Sequence, residues 1–397
     1  MGTTAIVTAG AGARGAYEAG ILSVLVPRLL ETGEEERIVL LGTSAGALNT
    51  ALLAAYSDPD QAVHNMLQVW ESTAISDIFA GLKGTAFRDV TSYLGELVGR
   101  GRLSSLLNTA ALRRTAEEKV DWVQLRDNLD GGKCWVHGVG IVATSSNSGR
   151  TIVFLQGKDI AHPPPDDFRS IDYVPVSLAP SHVLASAAIP VAFLPIRIDP
   201  PPTIHDQWFF DGGVRLNAPI KPALALGADR VIVVATTPDP DSPRPARATP
   251  AEPDLFDAAG AVLRALLEDR MAEDVRELRK TNRFVDAAAK AGTPPPAHRG
   301  AAQPYRHVEN LFLGPPKVGI ISTKAHEVFK QRYSGWRKRF SDMGILGTLL
   351  GGTSPKIHGE ILSFVFFDPD FHHALIRLGK EHAEQALKTG PGLPWHP

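Results

Sequence analysis

The sequence is short of several things, and each shortage closes off a class of protein. One cysteine, Cys134, stands among 397 residues. No disulfide framework can form within the chain, and no thiolate cluster can hold a metal. Cys134 itself reads as a small residue in or beside a strand, with a reactive thiol as the functional alternative. No run reaches the ~18 consecutive apolar residues that span a bilayer. The opening Met-Gly-Thr-Thr-Ala-Ile-Val-Thr-Ala-Gly lacks the basic region and longer apolar run of a secretory signal. The expected location is therefore cytoplasmic, with contact at a membrane surface left open. Neither sign of charge is in excess: 41 Lys and Arg face 43 Asp and Glu, a net charge of -2. Phosphate-backbone binding needs clustered cations, so nucleic acid is not an expected partner.

What is present is a globular composition, 44% apolar and 21% charged, which can bury a sizeable core. The length suits one large α/β domain with extensions, or two domains. Short apolar strands alternate with amphipathic helices through the first half, the pattern of a mainly parallel sheet covered on both faces. Thr4 to Thr8 reads as a buried strand, followed by a Gly-rich turn and a helix with Ile21, Val24, Leu25 and Leu29 on one face. A second strand from Arg37 to Leu41 leads into a helix from Ala45. Further strands are expected at His137 to Ser145, Thr151 to Leu155, Trp208 to Phe210, Arg230 to Ala235 and Asn310 to Leu313. Leu255 to Lys280 carries a helical stripe of Leu255, Ala259, Val262, Leu266, Met271, Val275 and Leu278, read as core packing, with a membrane-binding helix as the functional alternative. Asp286 to Gln303, rich in Ala, Pro and Gly, reads as a mobile linker, and Phe371 to Leu387 as a closing helix.

Three ordered motifs carry the chemistry. Gly10-Ala11-Gly12-Ala13-Arg14-Gly15 lies between the first strand and the first helix. It fits the GxGxxG pattern, but a dinucleotide-binding unit needs an acidic residue at the end of the second strand, where this chain has Gly42-Thr43-Ser44. Glycines at a helix N-terminus also let successive N–H groups converge on an oxyanion. Gly42-Thr43-Ser44-Ala45-Gly46 is GxSxG between a strand and a helix, where a sharp turn raises a serine hydroxyl above a sheet. Asp211-Gly212-Gly213 follows Trp208-Phe209-Phe210. An Asp at the C-terminal end of a strand is expected on the same rim of a parallel sheet as Ser44, placed to take its proton.

A competing Ser-His-Asp triad has 13 histidines to draw on. His307, His372 and His373 lie late enough in the chain, though none has a motif around it. Ser44 follows only about two strands, earlier than an α/β-hydrolase places its nucleophile. His326-Glu327 lacks the second histidine of a zinc HExxH. A non-catalytic lipid- or acyl-binding protein remains a further reading.

The three motifs, in this order, resemble those of the patatin-like phospholipases. Two flanking stretches match as well: Ala185-Ser186-Ala187-Ala188-Ile189-Pro190 with Phe193-Leu194-Pro195, and Asn217-Ala218-Pro219. The resemblance covers about residues 4 to 236. It implies a three-layer α/β/α fold with a mainly parallel central sheet, to which the sequence adds a mostly helical C-terminal extension. It further implies a Ser44–Asp211 dyad without histidine or cofactor, acting on fatty-acyl esters of phospholipids, lysophospholipids or neutral lipids. The loop of Gly10, Gly12, Ala13, Arg14 and Gly15 would form the oxyanion hole, with Gly12 and Ala13 as donors and Arg14 adding charge. Gly42 and Gly46 would flank the nucleophile, and Gly212 and Gly213 the base. Ala11 stands where many members have glycine; a positive φ there would cost about 1 kcal/mol.

The expected organisation is a catalytic core over residues 1–240, a Pro/Ala-rich loop, long helix and linker over 241–306, and an extension over 307–397 that packs back on the core. Within the extension, Trp336, Arg337, Lys338, Arg339 and Phe340 precede an apolar run from Ile345 to Leu350. A solvated helix face is the plain reading of this stretch; contact with an anionic lipid surface is the functional one.

Overall fold

The computed structural model describes residues 2–31, 37–78, 110–132, 134–190, 193–199, 207–243, 269–295, 304–333, 355–388 and 392–396. Strand β1 (Thr3–Thr8) leads through the 3-10 turn Gly12–Arg14 into α1 (Gly15–Leu30). Next come β2 (Arg37–Thr43), α2 (Ala45–Ala54) and α3 (Pro59–Ser72), then a single turn at Ile75–Ile78. They are followed by α4 (Ala110–Lys119), α5 (Trp122–Gly131), β3 (Val136–Ser145), β4 (Thr151–Gln156) and β5 (Ile171–Pro175). The helix α6 (Pro180–Ser186) precedes the short β6 (Ile196–Arg197) and β7 (Trp208–Asp211). After α7 (Ile220–Ala225) and β8 (Arg230–Val234), the described chain continues with α8 (Arg270–Lys290) and β9 (Glu309–Leu313). It closes with α9 (Ile320–Tyr333), α10 (Pro355–Val365) and α11 (Pro369–Leu387).

Helix starts follow local chemistry. Asp58 accepts from the Gln61 N–H at 2.8 Å, with Pro59 as first helical residue of α3. Asp368 does the same for α11, accepting from Asp370 N–H at 2.9 Å ahead of Pro369. Both use a carboxylate for an orphan amide and a proline where no N–H is needed.

Among the described residues the sheet has nine strands, in the order β5-β4-β3-β2-β1-β8-β9, with β7 on β3 and β6 on β7. It is parallel from β3 through β2, β1 and β8 to β9. The pairs β3–β4, β3–β7 and β6–β7 are antiparallel. Side chains alternate between two cores. Ile6, Leu40, Ile141, Ile232 and Leu311 face a layer with α1, α2, α3 and α11. Val7, Leu41, Val142, Val233 and Phe312 face the layer of α7 and α8. This is the three-layer α/β/α arrangement expected of alternating strands and helices.

The C-terminal helices belong to this body. Helix α11 crosses α1 at close range: a Cβ on Gly20 would stand 2.3 Å from the Ile376 carbonyl oxygen, and one on Gly379 2.2 Å from that of Tyr17. Only glycines permit such backbone contact. Tyr17 Oη and His382 Nδ1 share a hydrogen bond of 2.8 Å at the same crossing.

Some sequence expectations need correction. Helix α8 continues to Lys290, so Asp286 to Lys290 is helical and not a mobile linker; alanine, abundant there, is the best helix former. Of the apolar stripe, Met271, Val275 and Leu278 are buried against the sheet, while Leu255 to Leu266 lie outside the described residues. Arg332 and Tyr333 are bound to Asp368 at 3.0 and 2.7 Å. Trp336, Arg337, Lys338, Arg339 and Phe340 lie outside the described residues. Among the described residues, no helix is long and apolar enough to cross a membrane.

Candidate active site

Strand β2 delivers Ser44 to the turn before α2, and the turn is tight for a steric reason. A Cβ on Gly42 would lie 2.4 Å from the Gly46 carbonyl oxygen, and one on Gly46 2.5 Å from that of Thr8. The paired glycines thus let the first turn of α2 fold onto the ends of β1 and β2. Ser44 is left at φ 56, ψ -121, a conformation that costs a non-glycine residue about 1–3 kcal/mol. The surroundings hold it there. Its N–H donates to Ser186 Oγ at 2.8 Å, and Ser186 donates to the Val142 carbonyl at 2.6 Å. Its carbonyl accepts from the amides of Ala47 and Leu48.

Asp211 reaches the same rim by a route different from the one expected. Strand β7 runs antiparallel to β3, with Asp211 opposite Ala143, and the adjacent Val142 pairs with Thr43. The carboxylate therefore enters from beyond the rim; it does not end a strand of the parallel set. A period-two apolar pattern carries no strand direction, so the sequence has no signal for this. Gly212 opens a short 3-10 turn, and the Gly213 N–H donates to Asp211 Oδ1 at 2.7 Å. Burial pushes the Asp211 pKa up to about 7, against hydrogen bonds from the Ser44 side chain and the Gly213 amide that lower it. At that value the group is nearly balanced between base and acid at neutral pH.

The glycine loop divides its tasks. The Gly10 amide is taken by Asn217, at 3.2 Å from the carbonyl and 2.9 Å from Oδ1, so it is not a free oxyanion donor. Gly12 is the residue with positive φ, +56, and lies on the cavity wall beside Ser44. Among the described residues, no acceptor takes the amides of Gly12 or Ala13. Ala11 has φ -140, so the strain considered for an alanine there does not arise. Gly15 opens α1, and its carbonyl accepts from Asn49 Nδ2 at 3.2 Å.

Arg14 departs furthest from expectation. Its side chain is buried and turned to α10: Nε donates to Ser363 Oγ at 2.8 Å, and Nη2 pairs with Glu360 Oε1 at 2.6 Å. The guanidinium lies 3.6 Å over the Phe364 ring. Arg14 is not among the residues walling the Ser44 cavity. Its charge is neutralised by Glu360 rather than offered to an oxyanion.

The cavity beside Ser44 encloses about 140 Å³ and is walled mainly by apolar side chains, among them Leu48, Trp70, Val183, Leu184, Phe364 and Phe367. Trp70 is fixed by donation of its Nε1–H to Asn49 Oδ1 at 2.7 Å. The candidate triad histidines have other partners: His307 pairs with Asp286, His372 with the Trp70 carbonyl and His373 with the Pro369 carbonyl. None of these bonds involves Ser44 or Asp211. Ser186 and Asn217 lie in the two flanking stretches of the motif pattern, which by itself assigns neither residue a task. Their partners lie 142 and 207 residues away, and no local pattern encodes such pairings.

A serine at a strained strand-to-helix turn, at the end of a largely parallel sheet and beside an apolar cavity, has the geometry that a nucleophile elbow requires. The family follows from a second line of evidence. The model of the patatin-like phospholipases matches residues 6–224, more than half of the chain, and the protein belongs to that family. No curated protein matches the chain. Among solved structures, VipD from Legionella pneumophila is similar at 13% identity and a TM-score of 0.37, over 97% of this chain and 66% of that one. Human GIVD cytosolic phospholipase A2, in complex with methyl gamma-linolenyl fluorophosphonate, is similar at 11% identity and a TM-score of 0.34, over 96% of this chain and 59% of that one. The chain thus spans less than two thirds of the length of either.

Proposed function

We propose that the protein is a lipolytic acyl hydrolase that cleaves fatty-acyl esters of phospholipids, lysophospholipids or neutral lipids with a Ser44–Asp211 dyad. The observation that carries this reading is the pairing of a strained, cavity-facing Ser44 with a buried carboxyl whose pKa lies at about 7.

In the first half-reaction Ser44 Oγ attacks the ester carbonyl carbon, and its proton passes to Asp211. The carbonyl oxygen becomes an oxyanion against the amides of Gly12 and Ala13. Collapse breaks the ester C–O bond, and Asp211 returns the proton to the departing alcohol. The acyl group remains on Ser44 with its alkyl chain in the apolar cavity. Water then attacks the acyl-enzyme and gives a proton to Asp211. As the Ser44–acyl bond breaks, that proton returns to Ser44, and the fatty acid leaves.

The test is hydrolysis of p-nitrophenyl butyrate and a long-chain ester by wild type, Ser44→Ala, Asp211→Asn and a triple alanine variant of His307, His372 and His373. Loss of the nucleophile is expected to reduce kcat by roughly 10⁴-fold or more, with Asp211→Asn also inactive and the folded triple variant active. A folded triple variant that is dead would replace the dyad with a histidine triad. Retained function in Ser44→Ala would favour a lipid- or acyl-binding protein on this scaffold.

A further inference from the structure

We propose that Phe364 and Phe367 set the length of acyl chain the enzyme accepts, and that Arg14 is the positioning residue that fastens Phe364 beside the nucleophile. The inference rests on the acyl-hydrolase reading and deepens it. Both phenylalanines lie beyond residues 6–224, the part matched by the family model.

The contact between loop and helix is direct. A Cβ on Gly12 would stand 2.4 Å from the Phe364 carbonyl oxygen, so the loop backbone lies against the last turn of α10. Arg14, two residues on, binds Glu360 and Ser363 of that helix and covers the Phe364 ring. One buried guanidinium therefore ties the wall of the cavity to the loop that would hold the oxyanion. Phe364 and Phe367 line the same cavity as Gly12 and Ser44. Phe367 is backed by aromatic packing: its ring stands edge-on to His372 at 5.9 Å, and His372 edge-on to Trp70 at 5.3 Å. Rings held in this way do not yield to a longer alkyl chain. Each buried methylene raises affinity about fourfold, so discrimination by length arises where the chain meets a wall that does not move.

The experiment is a series of p-nitrophenyl esters from acetate to palmitate, with kcat/KM measured for wild type, Phe364→Ala, Phe367→Ala, Glu360→Ala and Glu360→Gln. Wild type is expected to rise about fourfold per methylene to an optimum and then fall. Each phenylalanine variant moves the optimum to a longer ester. Glu360→Ala flattens the fall beyond the optimum, and Glu360→Gln, which keeps an acceptor for Arg14, restores it. If an alanine variant fails to fold, Phe364→Leu and Phe367→Leu test the same shift in a smaller step. Folded phenylalanine variants whose profiles parallel wild type would overturn the proposal. A shifted optimum with no effect of Glu360→Ala would overturn the part given to Arg14. Ser44→Ala separates the two levels: if it remains active, the dyad reading fails; if it is inert while the profiles stay parallel, only this inference fails.

Discussion

Asp211→Asn is expected to make the protein more stable at neutral pH while removing its activity. The carboxyl is buried, and its pKa is raised from 3.8 to about 7. An unfolded chain releases that proton more readily than the folded one. The associated stability is therefore fully present below pH 3.8 and is lost as pH rises towards 7, above which the loss levels off. A shift of this size corresponds to about 4 kcal/mol. Asparagine cannot ionise, and its Oδ1 can still accept from Gly213 N–H, now at 2.7 Å from Asp211 Oδ1. Urea denaturation of wild type and variant at matched pH values from 4 to 8.5 isolates the contribution, because groups other than Asp211 cancel to first order in the difference. The variant should match wild type near pH 4 and gain on it progressively to a plateau of about 4 kcal/mol above pH 7. A difference that stays flat across this range would refute a raised pKa at Asp211. It would also remove the reason to assign this carboxyl the role of base.

Three further perturbations test the site and its supports. Ser44→Gly relieves the positive φ at the elbow and should raise stability by about 1 kcal/mol net of the entropy of glycine, with hydrolysis lost; chemical denaturation and ester assay together check it. Ser186→Ala removes the acceptor of the Ser44 amide and should cost about 1–3 kcal/mol, lowering kcat more than it raises KM. His372 is buried and its pKa is depressed to about 4, mainly by desolvation, so the stability it contributes is present above about pH 6.5 and falls away as pH drops towards 4. His372→Leu should escape about 3 kcal/mol of that acid-dependent loss, read as a smaller decline in urea midpoint from pH 7 to pH 4.

The parts legible in the sequence were those set by local sterics. A glycine on either side of Ser44, a glycine loop before a helix and an Asp before two glycines each record a turn that few other residues can make. The remainder depends on partners far along the chain. Nothing near Arg14 says that its charge will meet Glu360, 346 residues later. Nothing near Phe209 says that its strand will run against β3. The helical run from Asp286 to Lys290 was obscured because alanine serves linkers as well as helices. The local rule also misplaced the strain: the positive φ of the loop falls on Gly12 and not on Ala11.

The close crossing of α1 and α11 through Gly20 and Gly379 has a consequence for the time at which the protein becomes competent. Ser44 and Asp211 leave the ribosome well before α11, which docks on the helix that follows the glycine loop. The segment that carries Phe364 and Phe367 emerges just ahead of α11. At synthesis rates of about 5–20 residues per second, the motif-bearing part waits roughly 7–30 seconds before this closing layer exists. Until then Tyr17, Gly20 and Ile21 lack the helix against which they pack in the folded protein. A chain that already carries all three sequence motifs thus lacks part of the wall of the Ser44 cavity until its later helices arrive.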